Sequence, residues 1–205
     1  MKGVLVVFEG IDGSGKSIQA ELLYKRLKEM GLNLYLGSEP TESHYGKIIR
    51  KISEADTDIS LPLEEEYRIF LEDRRLHVKE KILPSLEEGK VVILDRYYHS
   101  TMAYQGAKGI DPKRIEEENE SFAPRPDLLF LMDLDVNEAI KRIRDHRGSR
   151  LDSFEKREYL MKVLDLYRSF NYPYIHRIDA KRDKIEIHQE VFDEVKRLIS
   201  ERGNG

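Results

Sequence analysis

The sequence contains no cysteine, which removes disulfides, thiolate nucleophiles and cysteine-ligated zinc together. Its six histidines are scattered without ligand spacing, so a structural zinc site built on them is not expected either. Charge of one sign is missing as well: 35 Lys and Arg stand against 39 Asp and Glu, for a formal net charge of −4. Such a chain has no general basic field to hold a nucleic-acid backbone or an anionic membrane, so neither is expected as a partner. Any phosphate binding has to be local. No apolar run approaches the roughly 20 residues that a bilayer crossing needs. The start, Met1 to Val7, lacks the apolar stretch and cleavage site of a secretory signal. A cytoplasmic location is the expectation. Glutamine is limited to Gln19, Gln105 and Gln189 while charged residues make up 36% of the chain. That balance suits a thermophile's ion-pair networks and says nothing about function.

What is present is 205 residues, 40% of them hydrophobic, enough for one sizeable core and too few for two ordinary domains with a linker. One domain over residues 1–205 is expected. Val4 to Phe8 is a continuous, β-branched apolar run, as in a strand buried on both faces of a parallel sheet. Lys16 to Met30 then places Ile18, Leu22, Leu23 and Leu27 at helical spacing, with Gly31 as the stop. The alternation continues with strands near Leu32–Leu36, Val91–Leu94, Leu128–Met132 and Ile175–Ile178. Helices are expected within Leu63–Leu83 and at Glu138–Arg144, Lys156–Phe170 and Ile187–Ser200. This order predicts an α/β fold with a mainly parallel sheet and right-handed crossovers. The least regular segments, Gly106–Pro126 and Asp145–Asp152, read as mobile loops.

Between the first strand and helix lies Gly10-Ile11-Asp12-Gly13-Ser14-Gly15-Lys16-Ser17, a G-x-x-x-x-G-K-[ST] phosphate loop in the context that the motif requires. Glycines let backbone N–H groups converge on phosphate oxygens, Lys16 neutralises the β and γ groups, and the Ser17 hydroxyl suits a Mg²⁺ ligand at a helix N-terminus. The loop identifies a nucleoside triphosphate without naming a reaction. No Asn-Lys pair and no L-S-G-G-Q occurs, which sets aside guanine-specific switches and transporters and leaves small-molecule kinases. A second cluster, Asp95-Arg96-Tyr97-Tyr98, follows the buried run Val91–Leu94, so a carboxylate and a guanidinium emerge at the C-terminal end of a strand, where open α/β sheets bind ligands. Asp95 suits the metal shell or acceptor orientation, and Arg96 suits a planar clamp on phosphate.

Taken in order, Gly10–Ser17, Glu39-Pro40-Thr41, Phe70 with Arg74, Asp95-Arg96-Tyr97 and Ser100-Thr101-Met102-Ala103-Tyr104-Gln105 resemble the thymidylate kinase family across nearly the whole chain. The resemblance implies a P-loop nucleoside monophosphate kinase-like three-layer fold with a mainly parallel five-stranded sheet. It further implies transfer of the γ-phosphoryl group of ATP to dTMP with Mg²⁺, usually in a homodimer. Among acceptor-side residues it implicates Glu39, Phe70 stacked on thymine, Arg74 on the base edge, Arg96 and Ser100, Thr101 near the pyrimidine, Tyr104 against the deoxyribose, and Gln105 beside it. The i, i+4 spacing of Phe70 and Arg74 puts a ring and a guanidinium on one helix face. From the residues alone, Phe70 and Tyr104 read equally as core, and Arg74 as a partner of Asp73.

Two departures stand out. Ser38 occupies a position where many members carry an Arg before Glu-Pro, so Arg96 or another base such as Arg50 has to grip the acceptor phosphate, or the acceptor differs. Ile18 follows Ser17 where a second hydroxyl is common. The P-loop also has no Arg of its own. The missing positive charge is expected from a lid near 142–155, where Arg147 and Arg150, with Arg142 and Arg144 nearby, would close over ATP. Asp12 would orient the acceptor or a metal-bound water, and Lys181 and Arg182 resemble an adenine-side loop. A deoxynucleoside or other monophosphate kinase, and a nucleotide sensor without transfer activity, are the alternatives.

Overall fold

A computed structural model describes residues 3–53, 61–147 and 154–203 of the chain. In order, its elements are β1 (Val4–Glu9), α1 (Lys16–Glu29), β2 (Leu34–Ser38), α2 (His44–Ser53), α3 (Leu63–His77), a π-helical stretch (Val78–Ile82) and α4 (Leu83–Glu87). There follow β3 (Val91–Asp95), α5 (Tyr98–Lys108), α6 (Pro112–Glu120), β4 (Leu128–Asp133), α7 (Val136–Arg147), α8 (Phe154–Ser169), β5 (Ile175–Asp179) and α9 (Lys184–Gly203). The five strands form one sheet in the order β2-β3-β1-β4-β5. Every pairing in it is parallel, so the sheet is wholly rather than mainly parallel. The apolar runs explain the three middle strands: all of β1 is buried, as are Val91–Leu94 and Leu129–Met132.

The chain leaves β1 toward β2 and leaves β3 toward β4, in opposite directions across the sheet, which opens a crevice at the C-terminal edge. Register brings the site residues there. Phe8 and Ser38 both pair with Asp95, the Arg96 N–H donates to the Phe8 carbonyl (2.9 Å), and the Glu39 N–H donates to the Asp95 carbonyl (3.1 Å).

Three local readings differ from expectation. The Gly106–Pro126 segment is not an irregular loop: it holds the end of α5 and all of α6, which Asp111 caps by accepting from the Lys113 N–H (3.0 Å), with Pro112 in the first turn. Helix α6 hides from periodicity because only Ile115 and Asn119 along it are buried. Helix α5 hides for the opposite reason, since it is buried on nearly every side. The helix expected within Leu63–Leu83 runs on to Glu87 through a π turn. Pro84, which has no N–H to donate, follows directly, and a widened turn is the usual accommodation. The second expected loop begins inside α7 and otherwise lies outside the described residues.

Candidate active site

Backbone conformation builds the phosphate cradle. Gly10, Gly13 and Gly15 all have positive φ, which a side chain would resist. A Cβ on Gly13 would also lie 2.8 Å from the Ala139 carbonyl oxygen, so helix α7 closes against the loop only because that position is bare. Ser14 is buried in the turn, and its N–H donates to the Ile11 carbonyl (3.3 Å). Lys16 opens α1 and is only 5% exposed. Its ammonium donates to the Ile11 carbonyl (2.9 Å), and burial, aided by the nearby Arg96 charge, draws its pKa down to about 8.

Ser17 and Asp95, expected to share a metal, are in contact: the Ser17 hydroxyl donates to Asp95 Oδ2. Asp95 Oδ1 is buried with no hydrogen-bond partner among the described residues. One hydroxyl and one carboxylate beside a phosphate loop suit a small divalent cation that keeps most of its shell as phosphate oxygens and water. Among the described residues there is no cluster of three or more His, Asp or Glu that could hold a metal without them.

Arg96 joins the two sides of the crevice. It is the one non-glycine residue with positive φ among those described (72°), a conformation that costs of order 1–3 kcal/mol and tends to mark functional sites. Its guanidinium donates to Ser100 Oγ (3.0 Å), to Asp12 of the donor loop, and at 3.5 Å to the Tyr104 hydroxyl, whose ring it overlies at 5.2 Å. Burial opposes its charge, but Tyr104, Asp12, Tyr167 and Glu9 hold it firmly protonated.

Beneath Arg96 lies Glu9, a residue that sequence reasoning missed. It is fully buried at the end of β1, and its carboxylate accepts from the N–H groups of Tyr97 (2.7 Å) and Ser100 (3.1 Å), the Ser100 hydroxyl (2.6 Å) and the Tyr167 hydroxyl (2.8 Å). Helix α5 has no cap from its own Tyr97 side chain, so Glu9 supplies one from across the sheet. Burial raises the Glu9 pKa, and these donors, with Arg96, pull it back. The available signal was an acidic residue ending an apolar strand just before the first loop glycine.

On the acceptor side, Arg74 is 2% exposed. It does not pair with Asp73. It donates to Glu39 Oε2 (2.8 Å), Asn119 Oδ1 (2.8 Å) and Thr101 Oγ1 (3.0 Å), which adds Asn119 to the expected set. Asp73 instead holds the turn after Glu39, accepting from the Thr41 N–H (2.9 Å) and hydroxyl (2.5 Å) and the Ser43 hydroxyl (2.6 Å). Phe70 is half-buried, and it is neither in the core cluster nor among the partly buried residues packed against it, so the core reading fails for it. Tyr104 does pack on that core, against Tyr159 and Tyr167, while its hydroxyl faces Arg96; burial pushes that hydroxyl up to about 12.

Other expected residues are engaged elsewhere or lie beyond view. The Gln105 amide donates to Glu66 (3.1 Å), which also binds Lys108 (2.6 Å). Ser38 is exposed at the end of β2, and nearby Arg50 donates to the Pro40 carbonyl (2.9 Å), so a cation does stand beside the Glu39-Pro40-Thr41 turn. Lys181 and Arg182 lie between β5 and α9, a turn tied to α1 by Gln19, whose amide donates to the Lys184 carbonyl (3.0 Å); Arg182 pairs with Glu190 (2.5 Å). Arg142 donates to the Ala180 carbonyl of the same turn (3.0 Å). Arg147 closes α7, and Arg150, with the middle of the expected lid, falls outside the described residues.

Comparison with known proteins gives the family. A family model described as Thymidylate kinase matches residues 8–191. The chain is 42% identical to a thymidylate kinase of Brachyspira hyodysenteriae, over 96% of this chain and 95% of that protein. It is 45% identical to one of Akkermansia muciniphila (91% and 88%), and 44% identical to a probable thymidylate kinase of Pyrococcus horikoshii (85% and 82%).

Proposed function

The chain belongs to the thymidylate kinase family, and from that premise we propose that it transfers the γ-phosphoryl group of ATP to dTMP, giving ADP and dTDP. The observation that carries this reading is the position of Arg96, tied at once to Asp12 of the donor loop and to Ser100 and Tyr104 of the helix beyond it. A guanidinium so placed serves two phosphates held end to end. An acceptor phosphate oxygen attacks the γ-phosphorus in line, the bond from that phosphorus to the β-bridging oxygen breaks, and ADP departs. The dTMP phosphate is already largely ionised near neutral pH, so no strong base is needed.

The donor phosphates lie along the backbone N–H groups of Gly13 to Ser17, with Lys16 on the β and γ groups. Arg96 clamps the acceptor phosphate, and Arg50 supplies the charge that Ser38 lacks. Phe70 stacks on the base, Arg74 and Thr101 face its edge, and Tyr104 stands against the sugar. Ser17 and Asp95 hold Mg²⁺, which when bound neutralises charge on the phosphoryl oxygens. Arg147 and Arg150 belong to a lid over 142–155 that completes the site, and Lys181 and Arg182 flank the adenine. The rest of the proposal is one domain, a homodimer and a cytoplasmic location; among the described residues no helix is long and apolar enough to cross a membrane.

The test is a product assay with ATP and Mg²⁺ against a panel of nucleosides and monophosphates. dTDP from dTMP is expected as the fastest product. Faster turnover of thymidine or of another monophosphate would replace the acceptor, and tight ATP binding without any product would replace the activity.

A further inference from the structure

A chain of hydrogen bonds, buried at Arg74, Glu39 and His77 and half-buried at Tyr35, leads away from the acceptor side to the edge strand of the sheet. The Tyr35 hydroxyl lies 2.9 Å from His77 Nε2, and His77 Nδ1 lies 3.0 Å from Glu39 Oε1. Glu39 Oε2 is 2.8 Å from both Nε and one terminal nitrogen of Arg74. We propose that Glu39, His77 and Tyr35 are positioning residues for acceptor recognition: together they brace the Arg74 guanidinium in the orientation that meets a keto oxygen on the pyrimidine edge. This rests on the reading of Arg74 as a base-edge contact given above.

The logic follows from satisfying buried polar groups. The Arg74 and Glu39 side chains are 2% and 5% exposed, and a carboxylate so deep needs partners on both oxygens. Arg74 takes one. The other faces His77, also buried, and a neutral imidazole has one N–H and one acceptor nitrogen. Nδ1 donates because it faces a carboxylate, and with the ring neutral Nε2 accepts from its neighbour, a hydroxyl able to donate. In that form the chain runs one way, from the Tyr35 O–H to His77 and from the His77 N–H to Glu39.

Both Glu39 oxygens are used within the protein, so Glu39 acts through Arg74 rather than on the nucleotide. Arg74 has only donors. Held still, it favours a carbonyl and disfavours an amino group at the same place; free to swing, it discriminates less. Gly37 of β2 makes room for the brace: a Cβ there would lie 2.9 Å from His77 Nε2 and from Tyr35 Cε1, while its backbone conformation itself would accept alanine.

The test compares His77→Phe, His77→Asn, Tyr35→Phe and Gly37→Ala in the full chain, each alone and with Arg74→Lys, by KM for dTMP, KM for ATP and kcat. Loss of one hydrogen bond to a charged group predicts about a tenfold rise in KM for dTMP for His77→Phe, with kcat and the ATP KM within about twofold. The preference for dTMP over dCMP should narrow. His77→Asn, which keeps a donor toward Glu39, should recover most of the loss. Tyr35→Phe and Gly37→Ala should cost about two- to fivefold. In the Arg74→Lys background, His77→Phe should add nothing, because both act through one group.

An unchanged dTMP KM in folded His77→Phe overturns the brace, as does a parallel decline of all three parameters or full additivity in the double variant. Should His77→Phe fail to fold, Tyr35→Phe and Gly37→Ala decide by the same criteria. If Arg74→Lys itself leaves the dTMP KM unchanged, the base-edge reading of Arg74 fails first. If Arg74→Lys raises that KM and the brace variants do not, only the brace fails.

Discussion

The two sides of the crevice are built in different ways. The donor loop is a single run of consecutive residues, shaped by glycine φ values and by N–H groups at the start of α1. The acceptor side is drawn from the ends of β2 and β3 and from α3, α5 and α6, and is joined by the buried side chains of Glu39, Arg74, Thr101 and Asn119 and the half-buried Arg96. Main-chain donors need no partner side chains to hold their direction, so a short motif suffices. A guanidinium aimed by carboxylates needs each partner placed by a separate element, and its precision is only as good as the packing between them.

The largest effects should separate the sides cleanly. Lys16→Ala and Arg96→Ala are each expected to lower dTDP formation by about 10³-fold or more, the scale seen when a charge on transferring phosphoryl oxygens is removed. Lys16→Ala should also lose ATP affinity, while Arg96→Ala should keep it, as measured by calorimetric titration with unfolding curves as a control. Near-normal turnover in either variant would break the comparison at its centre.

Next is Gly13→Ala, which forces a side chain into positive φ and against the Ala139 carbonyl. A loss of about 1–3 kcal/mol in denaturant unfolding is expected, with weakened ATP binding. If its cost is no greater than that of an exposed surface change, the cradle does not depend on backbone conformation.

The pH dependence sharpens the donor side. Burial first, and then the charge of Arg96, draw the Lys16 pKa down to about 8, and bound phosphate would raise it again. Below pH 8 the lysine is already protonated and ATP affinity is complete. Above it, binding must take up a proton, so affinity should fall by up to about tenfold per pH unit until the raised pKa of the complex is reached. Titrations from pH 7 to 9.5 in buffers of different ionisation enthalpy check both the slope and the proton uptake; a flat profile would mean that Lys16 stays charged throughout. The smallest effect is Ile18→Thr. Ile18 is 50% exposed beside Ser17, and a hydroxyl there should tighten ATP by about two- to threefold.

The same contrast explains what could be read beforehand. Strands β1, β3 and β4 are apolar runs buried on both faces, so each declared itself locally; α1 was marked by Leu23, Leu27 and its glycine stop, although Ile18, read as part of its stripe, is exposed. Helix α5 is buried around most of its circumference and α6 buries very little, so neither shows a single apolar stripe, although both carry acceptor-side residues. Phe70 and Arg74 showed only that they share a helix face. Their difference, with Phe70 outside the core and Arg74 sealed within a network of Glu39, Thr101 and Asn119, depends on residues far apart in the chain.

The order of the five strands, the donor loop and the strand end carrying Asp95 and Arg96 followed from the amino-acid order alone, because strand burial, glycine conformation and helix-start chemistry act between near neighbours. The partners of Arg74, the cap that Glu9 gives to α5 and the tether from His77 to Glu39 belong to the tertiary structure. A buried charge takes whichever counter-charge the packing brings within about 3 Å, and no spacing along the chain records that distance.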